Sequence, residues 1–262
     1  MMECNFAFDG KHCLRDFDCV YIYAKSRPVS PESVFSAFEI GGGDGDVLFG
    51  DRRVHQVMTH KGSLYLMHTP PTEAEALRIY REIAAWLKVG RRRLIWDYEP
   101  DRYLLAEVED GITFSQSSWP DGGISIGFRC QPFAYNLWPD IASGTLTAGA
   151  DTVLALPLRT GEPAPVSLTL KNTGEADLTG VTVTVGSRQV VLAGMAVAAG
   201  ETLEINMEAP IGAMVGDDSA LPYATRFDHL VAERACSVTV AGTFDTGTAQ
   251  AAVTARATGR WI

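Results

Sequence analysis

Thr72-Glu73-Ala74-Glu75-Ala76-Leu77-Arg78-Ile79-Tyr80-Arg81-Glu82-Ile83-Ala84-Ala85-Trp86-Leu87-Lys88-Val89-Gly90 is the best-marked element of the chain. Thr72 with Glu75 three residues later forms a capping box, in which each side chain satisfies a backbone donor that the first helical turn leaves unpaired. Gly90 stands where a helix end calls for a left-handed residue. Between the caps, Ala76, Leu77, Tyr80, Ile83, Ala84 and Leu87 recur at helical spacing and form an apolar stripe. Ile79 and Trp86 lie on its border and widen it to about half the circumference, more than one sheet face requires. Either Trp86 is the edge of an ordinary core, or the helix is covered from a second side.

Beyond the helix the apolar period falls to two. Leu94, Trp96 and Tyr98 alternate with Ile95 and Asp97, Glu99-Pro100-Asp101 turns the chain, and Tyr103–Val108 returns. After Asp121-Gly122-Gly123, the residues Ile124, Ile126, Phe128 and Cys130 alternate with Ser125, Gly127 and Arg129. Such alternation marks strands with one face buried. The expectation is an antiparallel sheet carrying the helix.

A helix ending Trp86-Leu87, a turn with Asp97, Glu99, Pro100 and Tyr103, a glycine turn at Gly123 and a strand closing in Phe128, Cys130, Pro132, Phe133, Ala134 and Tyr135 together resemble the distal tail proteins of long-tailed, siphophage-type bacteriophages. The opening Phe6-Ala7-Phe8-Asp9-Gly10-Lys11, a short aromatic strand into a tight turn, is similar too. The resemblance spans residues 1–136 and rests on order and spacing. It implies a mainly β fold: an N-terminal antiparallel β-sandwich or split barrel with one flanking α-helix, then a C-terminal β-sandwich of the galectin or carbohydrate-binding-module kind. It also implies a baseplate hub, a hexameric ring through which DNA passes without specific binding, connecting a tail tube protein to tail tip or baseplate proteins. Such a protein belongs to the virion tail, or to a tail-like particle, and assembles in the bacterial cytoplasm.

A chain of 262 residues allows one large domain or two. No apolar run approaches the ~18 residues of a membrane span, so no membrane partner is expected, and Met1-Met2-Glu3-Cys4-Asn5 lacks the order of a signal peptide. With 22 basic and 32 acidic residues the net charge is −10. That disfavours general nucleic-acid binding, because DNA affinity comes mostly from neutralised phosphates. The basic cluster Arg91-Arg92-Arg93 follows the helix C-terminus, where it complements the dipole.

Cys4, Cys13, Cys19, Cys130 and Cys236 are odd in number and contain no CxxC pair, so they form no disulfide framework. Cys4, His12, Cys13 and Cys19 are close in sequence, yet their spacing fits no common zinc site. Cys19 falls in the alternating run Asp18–Tyr23 and reads as a buried strand thiol. The prolines of Ser26–Pro31 mark a loop. Val34–Ile40 and Val47–Phe49 read as strands around Gly41–Asp46, whose alternating Gly and Asp lack the closing Glu of a calcium loop. His55, His60 and His68 show no ligand spacing. No metal and no cofactor is expected.

The composition changes at Asn136–Asp151, where Trp138-Pro139 and Ala142-Ser143-Gly144-Thr145 suggest a linker over residues 137–150. That gives a ring-forming domain at 1–136 and a second domain at 151–262. Charges divide as 15 basic and 19 acidic before residue 139, and 7 and 13 after it. The second part alternates with period two between turns at Asn172-Thr173-Gly174, Gly186-Ser187, Gly194 and Gly200-Glu201, the pattern of a β-sandwich. The long irregular stretch Ala209–Arg226 interrupts it.

Gly123-Ile124-Ser125-Ile126-Gly127 matches the G-x-S-x-G nucleophile pattern, but that motif needs a strand-to-helix elbow, and here the alternation simply continues. Asp97, Glu99 and Asp101 sit at the spacing of carboxylates on one strand face, yet beside a proline turn. No reaction class is supported, and the expectation is no enzyme. Two functions of different class fit: a structural tail hub, and a glycan-binding host-recognition module using Tyr223, Phe227, Phe244 or Trp261. For the hub, the broad stripe on the helix makes Ile79 and Trp86 candidates for the contact between subunits.

Overall fold

A computed structural model of the chain describes residues 5–23, 28–34, 37–39, 46–48, 54–109, 111–115 and 122–262. Most of the Gly/Asp stretch, together with Cys4 and Asp121, lies outside these residues. The chain divides into two compact units, Met1–Leu137 with Ile262, and Trp138–Trp261.

The first unit contains β1 (Phe6–Phe8), β2 (Lys11–His12), α1 (Cys13–Phe17), β3 (Cys19–Tyr23), β4 (Ser33–Val34), β5 (Ala37–Glu39), β6 (Asp46–Leu48), β7 (Val54–His55), β8 (Met58–Leu66), α2 (Glu73–Leu87), β9 (Arg92–Trp96), β10 (Arg102–Val108), β11 (Thr113–Ser115) and β12 (Gly123–Asn136). Its main sheet runs β2-β1-β9-β10-β12-β8-β3, antiparallel at every step, with β11 also against β12. The pairs β4–β7 and β5–β6 are separate ribbons. The main sheet curls on itself: Tyr21 N in β3 donates to Asn5 Oδ1 at 3.3 Å, just before β1, and the Phe6 and Tyr21 rings meet edge to face at 5.5 Å.

Helix α2 forms where its caps predict. Thr72 Oγ1 accepts from Glu75 N at 3.2 Å, and Gly90 takes φ +78° past the end. Ala76, Tyr80, Ile83, Trp86 and Leu87 are buried in a core with Phe6, Phe8, Tyr21, Leu94, Trp96 and Phe128. Large apolar side chains such as Ile83 and Leu87 each contribute on the order of 1.5–3 kcal/mol by leaving water. β12 continues past Cys130 through Pro132. Between the pairs Ala106↔Cys130 and Leu104↔Ala134, β10 advances two residues and β12 four. Pro132 falls in that bulge, where its missing N–H breaks no ladder bond.

The second unit holds β13 (Asp140–Thr147), β14 (Thr152–Leu156), β15 (Ala164–Asn172), β16 (Leu178–Val185), β17 (Arg188–Val197), β18 (Thr202–Asn206), β19 (Gly212–Val215), β20 (Asp218–Ser219), a 3-10 turn (Leu221–Tyr223), β21 (Ala224–Phe227), β22 (Val231–Ala232), β23 (Cys236–Phe244), β24 (Gln250–Ala257) and β25 (Arg260–Trp261). One sheet runs β13-β24-β15-β18-β19-β20, with β22 beside β15, and the other runs β14-β23-β16-β17-β21. Leu146, Leu168 and Val253 from the first meet Leu154, Val183 and Val240 from the second in one core, so this unit is a β-sandwich. Asn172, wholly buried, pins its turn: Nδ2 donates to Ala176 O and Val197 O at 2.8 Å each, and Oδ1 accepts from Gly174 N at 3.1 Å.

Residues 137–150, expected as a linker, are not one. Asp140–Thr147 is strand β13, paired with β24 from Asp140↔Ala257 to Thr147↔Gln250, and Leu146 is wholly buried. The small residues that suggested a linker serve close packing. A Cβ at Gly144 would lie 2.7 Å from Leu154 Cδ2.

Candidate interaction surfaces

Trp86 lies inside its own unit, which corrects its assignment to a subunit contact. It is 7% exposed, its Nε1–H donates to Phe8 O at 2.8 Å, and its ring stacks on Phe6 at 5.8 Å and on Phe17 at 4.6 Å. Ile79 is partly buried against the same core. The second cover that the broad stripe required is α1, which carries Phe17. His12 caps α1: its Nδ1 accepts from Leu14 N at 3.2 Å and Arg15 N at 3.3 Å, leaving Nε2 to donate to Asp97 Oδ1 at 2.9 Å. Both ring nitrogens are thereby used, and nothing in that arrangement offers a lone pair to zinc.

Two carboxylates of the Asp97–Asp101 turn are separately engaged, Asp97 with His12 and Glu99 with Arg102 at 2.8 Å. Ser125 lies within β12, which continues to Asn136, and is exposed, with its hydroxyl 3.4 Å from Ser63 Oγ. No imidazole among the described residues hydrogen-bonds to it. Burial pushes the Cys13 thiol up to about 11 and those of Cys19 and Cys130 up to about 12, so at neutral pH none is a ready nucleophile.

The outward face of the first unit's sheet is polar and aromatic. Glu107 Oε1 lies 3.4 Å from Arg91 Nη2 and 3.3 Å from Arg129 Nη1, beside an open cleft of about 470 Å³ that also meets Lys88 and Gly90. A second cleft of about 320 Å³ is lined by Lys61, Ser63, Glu109 and Ser125, with Thr59 donating to Glu109 at 3.2 Å. Arg93 lies 4.5 Å over the Tyr103 ring, and Tyr103 stacks on Tyr135 at 5.4 Å.

The four aromatics considered as sugar platforms do not form one. Phe227 and Phe244 pack against the sandwich core, Trp261 is half-buried alongside Gly161, and Tyr223 alone of the four is exposed, at 45%. Its exposure has no sequence signal, because it falls in the stretch that lacks periodicity.

No protein-family model matches the chain, and no curated protein matches it. Among solved structures, the chain shares its fold with the Dit (gp 19.1) protein of phage SPP1, described as a paradigm of the hub adsorption apparatus in phages infecting Gram-positive bacteria. The TM-score is 0.70 at 13% identity, over 100% of each chain. A chain of the phage p2 baseplate, in its activated conformation with strontium, is similar at a TM-score of 0.50 and 11% identity, over 97% of each chain.

Proposed function

We propose that this chain is a structural hub of a phage tail or tail-like particle, a ring at the distal end of the tail tube that connects it to the tail tip or baseplate. The observation that carries the reading is the fold shared with the SPP1 Dit protein over the full length of both chains. Its mechanism is assembly rather than catalysis. Identical subunits meet head to tail through heterologous contacts, and the rotation between neighbours closes the ring, six copies in a hexamer. DNA passes through the channel without specific binding, and the protein resides in the virion after assembly in the bacterial cytoplasm. With Trp86 turned inward, the contact falls to the outward face and edges of the first unit's sheet. There the Arg91–Glu107–Arg129 and Arg93–Tyr103–Tyr135 groups supply arginine and tyrosine, residue types that interfaces favour.

Light scattering on the purified chain, with negative-stain imaging, tests this. The expected result is a mass sixfold the 28.3 kDa of one chain and ring-shaped particles with a central opening. A monomer at every concentration, or a two-fold dimer without an opening, overturns it.

A further inference from the structure

Strand β19, the two-residue β20 and the 3-10 turn Leu221–Tyr223 make one corner of the second unit. Met214 pairs with Ser219 and Val215 with Asp218. Ala220 N donates to Ala213 O at 2.8 Å, Tyr223 N donates to Ala220 O at 3.1 Å, and the 3-10 turn lies against β17 and β19. Buried Ala213 and Ala220 fasten this corner to the core. Around them Ile211, Met214, Leu221 and Tyr223 are 51%, 38%, 43% and 45% exposed. Apolar side chains scattered singly over a surface are ordinary, but four large ones on one short corner are what monomers avoid.

The same segment carries charge of one sign. From Gln189 to Thr225 the chain has Glu201, Glu204, Glu208, Asp217 and Asp218, and no lysine, arginine or histidine. All five acids are exposed. Glu204 pairs across from Met214, Asp217 lies in the turn that follows β19, and Asp218 opens β20. Arg226, the next cation along the chain, is held by Asp228 at 2.7 Å.

We propose that this corner docks a segment of a different protein, one whose apolar side chains are flanked by lysine or arginine. Charge decides among the occupants. A second copy meeting through the same corner would set Asp217 and Asp218 against themselves, and like charges across an interface are unfavourable. DNA and anionic lipid are repelled in the same way. A basic-flanked apolar segment gains from both features: Met214, Leu221 and Tyr223 give it an apolar seat, and the acids steer and orient it. The inference concerns the second unit's surface and stands whether or not the chain forms a ring.

The test titrates the full chain into two fluorescent decapeptides, one alternating leucine and lysine, the other serine and lysine, read by anisotropy. The leucine peptide saturates, and the serine peptide binds roughly tenfold more weakly or not at all. The double variant Met214→Ser/Tyr223→Ser loses roughly tenfold in affinity, with folding checked by circular dichroism. Asp217→Asn/Asp218→Asn weakens binding and flattens its salt dependence; this variant decides alone if the first does not fold. Ile141→Ser, an apolar site 53% exposed elsewhere on the unit, binds like the unaltered chain. Absence of saturable binding, indifference to the corner substitutions, or an equal loss in Ile141→Ser overturns the proposal. So does self-association of the chain abolished by Tyr223→Ser, which gives the corner to a second copy.

Discussion

At the scale of single residues, Trp86 decides what the helix stripe is for. Its indole fills the space between Phe6 and Phe17 and satisfies the Phe8 carbonyl. Trp86→Ala is therefore expected to destabilise the fold by about 3–5 kcal/mol, the range for removing a buried aromatic. Trp86→Phe keeps the stacking but gives up the bond to the Phe8 carbonyl, at a cost of about 0.5–1.5 kcal/mol. Urea melts followed by fluorescence separate the two. An Ala variant with an unchanged midpoint but lost assembly would return Trp86 to the subunit contact. Width of the stripe was readable from the residues, but its cover was not. Helix α1 has five residues, too few for any periodicity to register, and its cap is a histidine rather than the usual Ser, Thr, Asp or Asn.

At the scale of elements, β13 shows how composition misleads. Ala142-Ser143-Gly144-Thr145 has the small, polar make-up of a connection, and only Leu146 of its inward positions is large. The strand exists because β24 pairs with its whole length, a long-range partner that no local window contains. A fragment of residues 138–261 should therefore fold by itself with a cooperative thermal transition, whereas one of 151–261 should not, having lost Leu146 and bared the edge of β24. A cooperative melt from the shorter fragment would show β13 to be dispensable. Elements with strong local marks were legible instead: α2 from its caps, β12 from its alternation, and the turn at Asn172 from Asn-Thr-Gly.

For the whole molecule the decisive quantity is charge, and how the cations are committed. The chain has ten more acidic than basic residues, and the one basic run does not face solvent unaccompanied. Arg91 approaches Glu107, Arg92 Nε lies 3.1 Å from Asp9, and Arg93 covers Tyr103. A surface built this way offers phosphates few free charges to neutralise. It therefore provides little of the counterion release that drives DNA affinity. The expected result is no retention of labelled duplex DNA by the assembled chain at physiological salt, with weak binding only at low salt. The variant Asp9→Asn/Glu107→Gln removes the acids that hold Arg91, Arg92 and Arg129 and should bind DNA measurably, with an affinity that falls as salt rises, in proportion to the phosphates contacted. Tight binding by the unaltered chain would contradict a channel through which DNA slides. A variant no stickier than the original would mean that these arginines lie away from any path the DNA takes.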